Sequence, residues 1–177
     1  MSVFRLDAEP PAVRDARVIT MEAPDPRQAS DGRLVIPTSR FGELRVPPAE
    51  LFTMAEGMHG FPGLTQYLLL APKDSEGLFY WWQAAGDPEV AFPCLDVLTR
   101  FPDYRILASE ADVLRLGLQH RTSLQVLVVV TVPPHAPRDL TANLLGPLVL
   151  DGQTREAWQL ICERSDHRVD TPLCDPG

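Results

Sequence analysis

The sequence predicts an all-β fold, a small antiparallel β-barrel with one or two short helices. Three observations lead there. About eight short runs rich in Val, Leu, Ile or aromatic residues recur along the chain, each of strand length. Proline and glycine, 18 and 11 of the 177 residues, separate these runs and favour turns over long helices. Only the segment from Ser109 to Gly117 combines a capping residue, helical spacing and a glycine stop.

Residues 1–30 hold Pro10-Pro11, Pro24 and Pro26 with mixed charges and little apolar periodicity. They read as a variable, disordered extension in which Val3, Phe4 and Leu6, or Val18 and Ile19, can add a short strand. The barrel domain is expected over residues 31–173, with 174–177 as a tail. Leu34-Val35-Ile36 opens it as a β-prone run stopped by Pro37. In the next run Leu44 and Val46 share one face, Phe41 falls by parity with Glu43 and Arg45, and a kink at Gly42 brings Phe41 into register with the apolar pair. Pro48 to Leu51 suits one helical turn.

Glu56 to Gly63 is a loop by its glycines. Leu64 to Ala71 is a buried strand, with Tyr67 and Leu69 on one face and Leu68 and Leu70 on the other. Phe79 to Gln83 and Val90 to Val97 form a hairpin around Gly86-Asp87-Pro88. Phe79, Trp81 and Gln83 share one face of its first strand, and Tyr80, Trp82 and Ala84 the other. Large rings on both faces require cover on both. Leu124 to Val132 is the most strand-like run and suits a central position. Leu140 to Leu150 is a strand broken at Gly146-Pro147, and Arg155 to Ile161 is the last strand before a frayed end.

The charge balance limits the partners. Net charge is −8, and Lys73 is the only lysine among 16 cationic residues. With a pI near 4.9, the chain lacks the basic groove that nucleic acid requires and suits a basic partner. Cys94, Cys162 and Cys174 are odd in number and lack metal-ligand spacing, which predicts reduced thiols. No signal-like or bilayer-spanning apolar run occurs, so a cytoplasmic protein is expected, without contact to membrane or nucleic acid. The four histidines are scattered, and no nucleophile elbow or phosphate loop is present, so no cofactor is expected. Asp87, Glu89, Asp96 and Asp103 crowd the central hairpin. They either cap turns and face solvent, or pair as acid and base in a hydrolytic or small-ligand barrel.

Several stretches, in order, carry a family resemblance. They are Phe41-Gly42-Glu43-Leu44; Glu56 to Phe61 with Leu68-Leu69-Leu70; and Trp81-Trp82-Gln83 with Asp87-Pro88 and Ala91-Phe92. Phe101-Pro102-Asp103-Tyr104, Thr131-Val132-Pro133, and Thr141-Ala142-Asn143-Leu144 with Pro147-Leu148-Val149 follow. From Leu34 to Leu173 the chain resembles the flagellar assembly factor FliW family. It departs where the family carries Phe-Pro in place of Met54-Ala55, proline in place of His59, and proline in place of Val97. The resemblance implies a non-catalytic β-barrel that binds flagellin and the translational regulator CsrA, releasing one to engage the other. The residues expected to contact a partner are Asp87, Glu89, Asp103 and Asn143.

Overall fold

The computed structural model describes residues 19–20, 32–72, 77–136, 138–162 and 166–174. Expectations for the rest of the 1–30 extension, and for residues 175–177, lie outside the described residues. Twelve strands are described: β1 Ile19–Thr20, β2 Leu34–Thr38, β3 Gly42–Val46, β4 Phe52–Thr53, β5 Gln66–Ala71 and β6 Phe79–Ala84. They continue with β7 Ala91–Asp96, β8 Leu124–Thr131, β9 Thr141–Ala142, β10 Leu148–Asp151, β11 Glu156–Gln159 and β12 Thr171–Pro172. The α-helices are α1 Val97–Arg100 and α2 Glu110–Arg115, and single 3-10 turns span Pro48–Glu50 and Leu118–His120.

Seven strands close a barrel, running β4-β5-β6-β7-β8-β10-β11 and back to β4. Every neighbour is antiparallel except at the closing seam, where β11 meets β4 in parallel through Glu156 and Thr53. Outside the barrel, β1 lies parallel to the end of β5, β2 and β3 form a separate hairpin, and β9 and β12 extend from β8.

Strand parity sorts the apolar residues into three cores, as alternation requires. Phe52, Tyr67, Leu69, Tyr80, Trp82 and Leu127, with neighbours from the other strands, fill the interior. Leu68 and Leu70 point outwards and are covered by Ile36 and Val46 of the β2–β3 hairpin. Leu124, Val126, Val128 and Val130 of β8 point outwards too, under Tyr104, Ile106, Val113 and other residues of the long connection that follows β7. The two tryptophans divide in the same way. Trp82 stacks on Tyr67 inside, with centroids 5.0 Å apart, while Trp81 meets the edge of Phe41 in the flanking layer.

Four expectations change. Pro37 does not stop β2, because among the described residues β2 pairs only with β3, and an edge strand has no second ladder for a proline to interrupt. The strand expected to run to Val97 ends at Asp96, whose side chain accepts a hydrogen bond from Leu98 N and starts α1. The strand expected from Arg155 is shorter, since Arg155 has φ 57° and belongs to the preceding turn. The expected frayed end instead carries β12, paired with β9. The kink at Gly42 is present, with φ 72° completing the Ser39-Arg40-Phe41 turn. Ser109 caps α2, and the left-handed Gly117 follows its end.

Candidate functional site

Strand directions bring four connections to one rim of the barrel. They are the β4–β5 loop (54–65), the β6–β7 turn (85–90), the β8–β10 connection (132–147) and the exit of β11. Three amide side chains hold them. Gln83 is fully buried, and its Nε2 donates to the carbonyls of Ala84, Asp87 and Val90 at 3.0–3.2 Å, fixing the β6–β7 turn. Asn143 Oδ1 accepts from Leu145 N and Gly146 N at 3.1 and 3.0 Å. Gln159 Oε1 accepts from His59 N at 2.9 Å and contacts its Nδ1 at 2.8 Å, while Gln159 Nε2 reaches Gly146 O at 3.4 Å. Gln159 thus links two loops that lie far apart in sequence.

The β4–β5 loop is tightly built. Gly57 has φ 67°, and a Cβ there would lie 2.4 Å from Phe61 O, so the loop path requires glycine. Beside this loop, between the end of β11 and α2, lies a cleft of about 260 Å³. Met54, Met58, Leu116, Trp158 and Leu160 supply its apolar lining. Its ionisable lining groups are Glu56, His59 and Arg115. Arg115 pairs with Glu56 and, at 3.0 Å, with Asp112. The Ser109 hydroxyl, together with Arg115, holds the Asp112 carboxyl below its ordinary range. The cleft falls below the usual size of small-molecule pockets but suits an anchoring side chain from a protein partner.

The predicted contact residues do not form one group. Asp87 Oδ1 accepts from Glu89 N at 2.9 Å, and Glu89 accepts from Ser39 Oγ. Ser39 N in turn donates to Pro88 O at 3.0 Å, docking the β2–β3 turn against the β6–β7 turn. Asn143 lies on the same rim, half-buried and occupied by its own loop. Asp103 lies beyond the other end of β7, exposed in the turn after α1. Asp96 is partly buried beside Gln125, and burial pushes its carboxyl up despite that hydrogen bond. The carboxylates are therefore divided between the two ends of β7, and none of them lines the cleft. Asp87 and Glu89 share the β6–β7 turn, while Asp96 and Asp103 stand apart from them. Sequence reading missed the cleft, because Glu56, Arg115 and Gln159 come from three distant segments. Among the described residues no group of three His, Cys, Asp or Glu is placed to hold a metal, and no helix is long and apolar enough to cross a membrane.

The sequence profile of one family, described as FliW protein, matches residues 35–173. The chain belongs to the FliW family. The flagellar assembly factor FliW of Moorella thermoacetica is 36% identical over 126 residues, covering 71% of this chain and 79% of that protein. That of Alkaliphilus metalliredigens is 32% identical over 130 residues, covering 73% and 80%. A crystal structure of the flagellar assembly factor FliW superposes with a TM-score of 0.71 at 24% identity, over 79% of this chain and 96% of that one, and so shares the fold. Within this FliW fold, the Glu56–Phe61, Asp87-Pro88 and Thr141–Leu144 motifs all fall at the rim described above, whereas Phe101–Tyr104 lies outside it.

Proposed function

We propose that this chain is a non-enzymatic flagellar assembly factor of the cytoplasm that binds flagellin and, when free of it, sequesters the translational regulator CsrA. Membership of the FliW family carries this reading, with the match spanning residues 35–173. The rim supports it physically. Its loops are fixed by Gln83, Asn143 and Gln159, so a partner meets a preorganised surface and little ordering entropy is lost on binding. The net charge of −8 favours encounter with an RNA-binding protein, whose phosphate contacts demand clustered Lys and Arg. Partner switching requires that the two complexes exclude one another. When flagellin is plentiful the factor is occupied and CsrA represses; as flagellin is exported, CsrA is captured and flagellin synthesis resumes.

The deciding experiment is a pull-down with the full chain from lysate of its own host, followed by binding of purified flagellin and CsrA. Both should bind, and added flagellin should lower the amount of CsrA captured. Binding of neither protein overturns the reading.

A further inference from the structure

We infer that the end of the barrel where β7 passes into α1 is a binding site for one ordered water molecule, held by Tyr80 Oη, Gln125 Oε1 and the Asp96 carboxylate. The inference is independent of the proposed function. Strand register puts the three side chains on one face. Tyr80 of β6 pairs with Cys94 of β7, and Asp96 lies two residues further on, with the same parity. Asp96 pairs in turn with Leu127 of β8, and Gln125 lies two residues back, again with the same parity. Tyr80, Cys94 and Leu127 all belong to the interior core, so this face is the inner one. The three polar residues are therefore diagonal neighbours, within reach of one another's long side chains. Gln125 Nε2 lies 3.4 Å from Asp96 Oδ2. Tyr80 is 1% exposed, and burial raises its phenol above the ordinary range, with Gln125 and Asp96 as the polar groups that act on it.

Hydrogen-bonding capacity selects the occupant. Tyr80 Oη and Gln125 Oε1 are buried atoms without a hydrogen-bond partner among the described residues. The phenol has a hydrogen to donate, and the amide oxygen can only accept. Buried polar groups are nearly always satisfied, because an unpaired one bears its full desolvation cost. Water meets both needs at once. Its lone pair accepts from the Tyr80 hydroxyl, one hydrogen goes to Gln125 Oε1 and the other to the Asp96 carboxylate. Three polar partners are the usual number for a buried water. A metal cation could take the oxygens but would leave the Tyr80 hydrogen without an acceptor. Asp96 also caps α1 through Leu98 N, so the water joins β6 and β8 to the start of that helix.

The test is a crystal structure of the full chain at a resolution that shows ordered water, with two companions. One is the Tyr80→Phe variant, and the other is wild type soaked in thallium(I), a monovalent cation located by its anomalous scattering. Wild type should show one density peak at about 2.5–3.2 Å from Tyr80 Oη, Gln125 Oε1 and an Asp96 carboxylate oxygen. Tyr80→Phe keeps the ring but removes one of the three partners, and the peak should disappear or lose most of its occupancy. The wild-type map decides even where the variant fails to fold or crystallise. No peak, or a direct bond from Tyr80 Oη to Gln125 Oε1 with no density between them, would overturn the inference. So would a thallium signal at the same point, which would assign the site to a cation. A peak of equal height in Tyr80→Phe would remove Tyr80 from the site and overturn it too.

Discussion

Arg155 Nη2 lies 3.0 Å from Glu50 Oε2, and this pair clasps the parallel seam that closes the barrel. The two side chains are only 16% and 11% exposed. The Arg155 guanidinium also lies 4.7 Å from the Phe52 ring centre, and its carbonyl accepts from Thr53 N at 2.7 Å. One residue thus joins the β10–β11 turn to β4 through ring and backbone, and to the turn before β4 through charge. The seam needs such help, since β4 has only two residues and meets β11 at a single register pair.

Replacing Arg155 by Gln leaves Glu50 largely buried and without its countercharge. Breaking a buried pair from one side costs about 3–5 kcal/mol, and the residual exposure here places the expected loss near the lower figure, at about 3 kcal/mol. Urea unfolding measures it. The double variant Arg155→Met with Glu50→Leu should recover much of the loss, because neither charge is then stranded. A loss below about 1 kcal/mol for Arg155→Gln would show that the ladder alone holds the seam.

Trp81 and Trp82 are neighbours in sequence with unequal roles. Trp82→Ala opens a cavity against Tyr67 and Phe52 in the interior and should cost about 3–5 kcal/mol. Trp81 is only half-buried, with the Arg40 guanidinium over its ring at 4.4 Å, and its loss should cost clearly less. Denaturant midpoints with unchanged slopes check the ranking. Equal costs would contradict the two-layer arrangement.

What the sequence revealed was local. The period of two separated Tyr67 and Leu69 from Leu68 and Leu70, and Trp81 from Trp82. Capping and turn chemistry marked Ser109, Gly117 and the break at Gly146-Pro147. What it hid depends on long-range contact. β4 is too short to carry a pattern, and its clasp joins residues 105 apart. The cleft draws His59 to Gln159 across 100 residues and Glu56 to Arg115 across 59. Pro37 reads as a breaker until its strand is known to be an edge. Asp96 read as one of several hairpin acids, since its role as a helix cap depends on where β7 stops.

Asp96 gives a prediction in pH. Burial raises its carboxyl above the ordinary 3.8, in spite of hydrogen bonds that oppose the shift. Between 3.8 and the raised value the folded state binds the extra proton, so this group's contribution to stability falls as pH rises through that window. Asp96→Asn keeps an acceptor for Leu98 N and removes the buried charge. The variant should melt higher than wild type at pH 7, and the difference should shrink to nothing as pH falls to about 4. Comparing the two proteins isolates Asp96 from carboxyls shifted the other way. Asp151 is one, where burial is outweighed by Arg121 and the amides of Thr154 and Gln153. A variant that melts lower at pH 7 would mean that the carboxylate's bonds outweigh its burial.

Asp87 and Glu89 allow charge to be separated from turn geometry. Both stand on the rim, Asp87 accepting from Glu89 N and Glu89 from Ser39 Oγ. Asn and Gln retain an acceptor at each place, so the Asp87→Asn/Glu89→Gln pair should fold with nearly the wild-type midpoint while losing two negative charges. If these carboxylates steer a basic partner, the change appears in association rate and salt sensitivity more than in dissociation. The Debye length falls from about 10 Å at 0.1 M salt to about 3 Å at 1 M, so steering should fade across that range. The measurement is CsrA association by stopped flow at several salt concentrations, for wild type and the pair. Association by the pair should be slower at 0.1 M, show a shallower salt slope and converge with wild type near 1 M, with similar dissociation throughout. Asp103→Asn, beyond the other end of β7, should keep the wild-type slope if docking occurs at the rim. A pair that keeps the full slope would move the docking face away from this turn, and a loss confined to Asp103→Asn would move it to the end that carries α1.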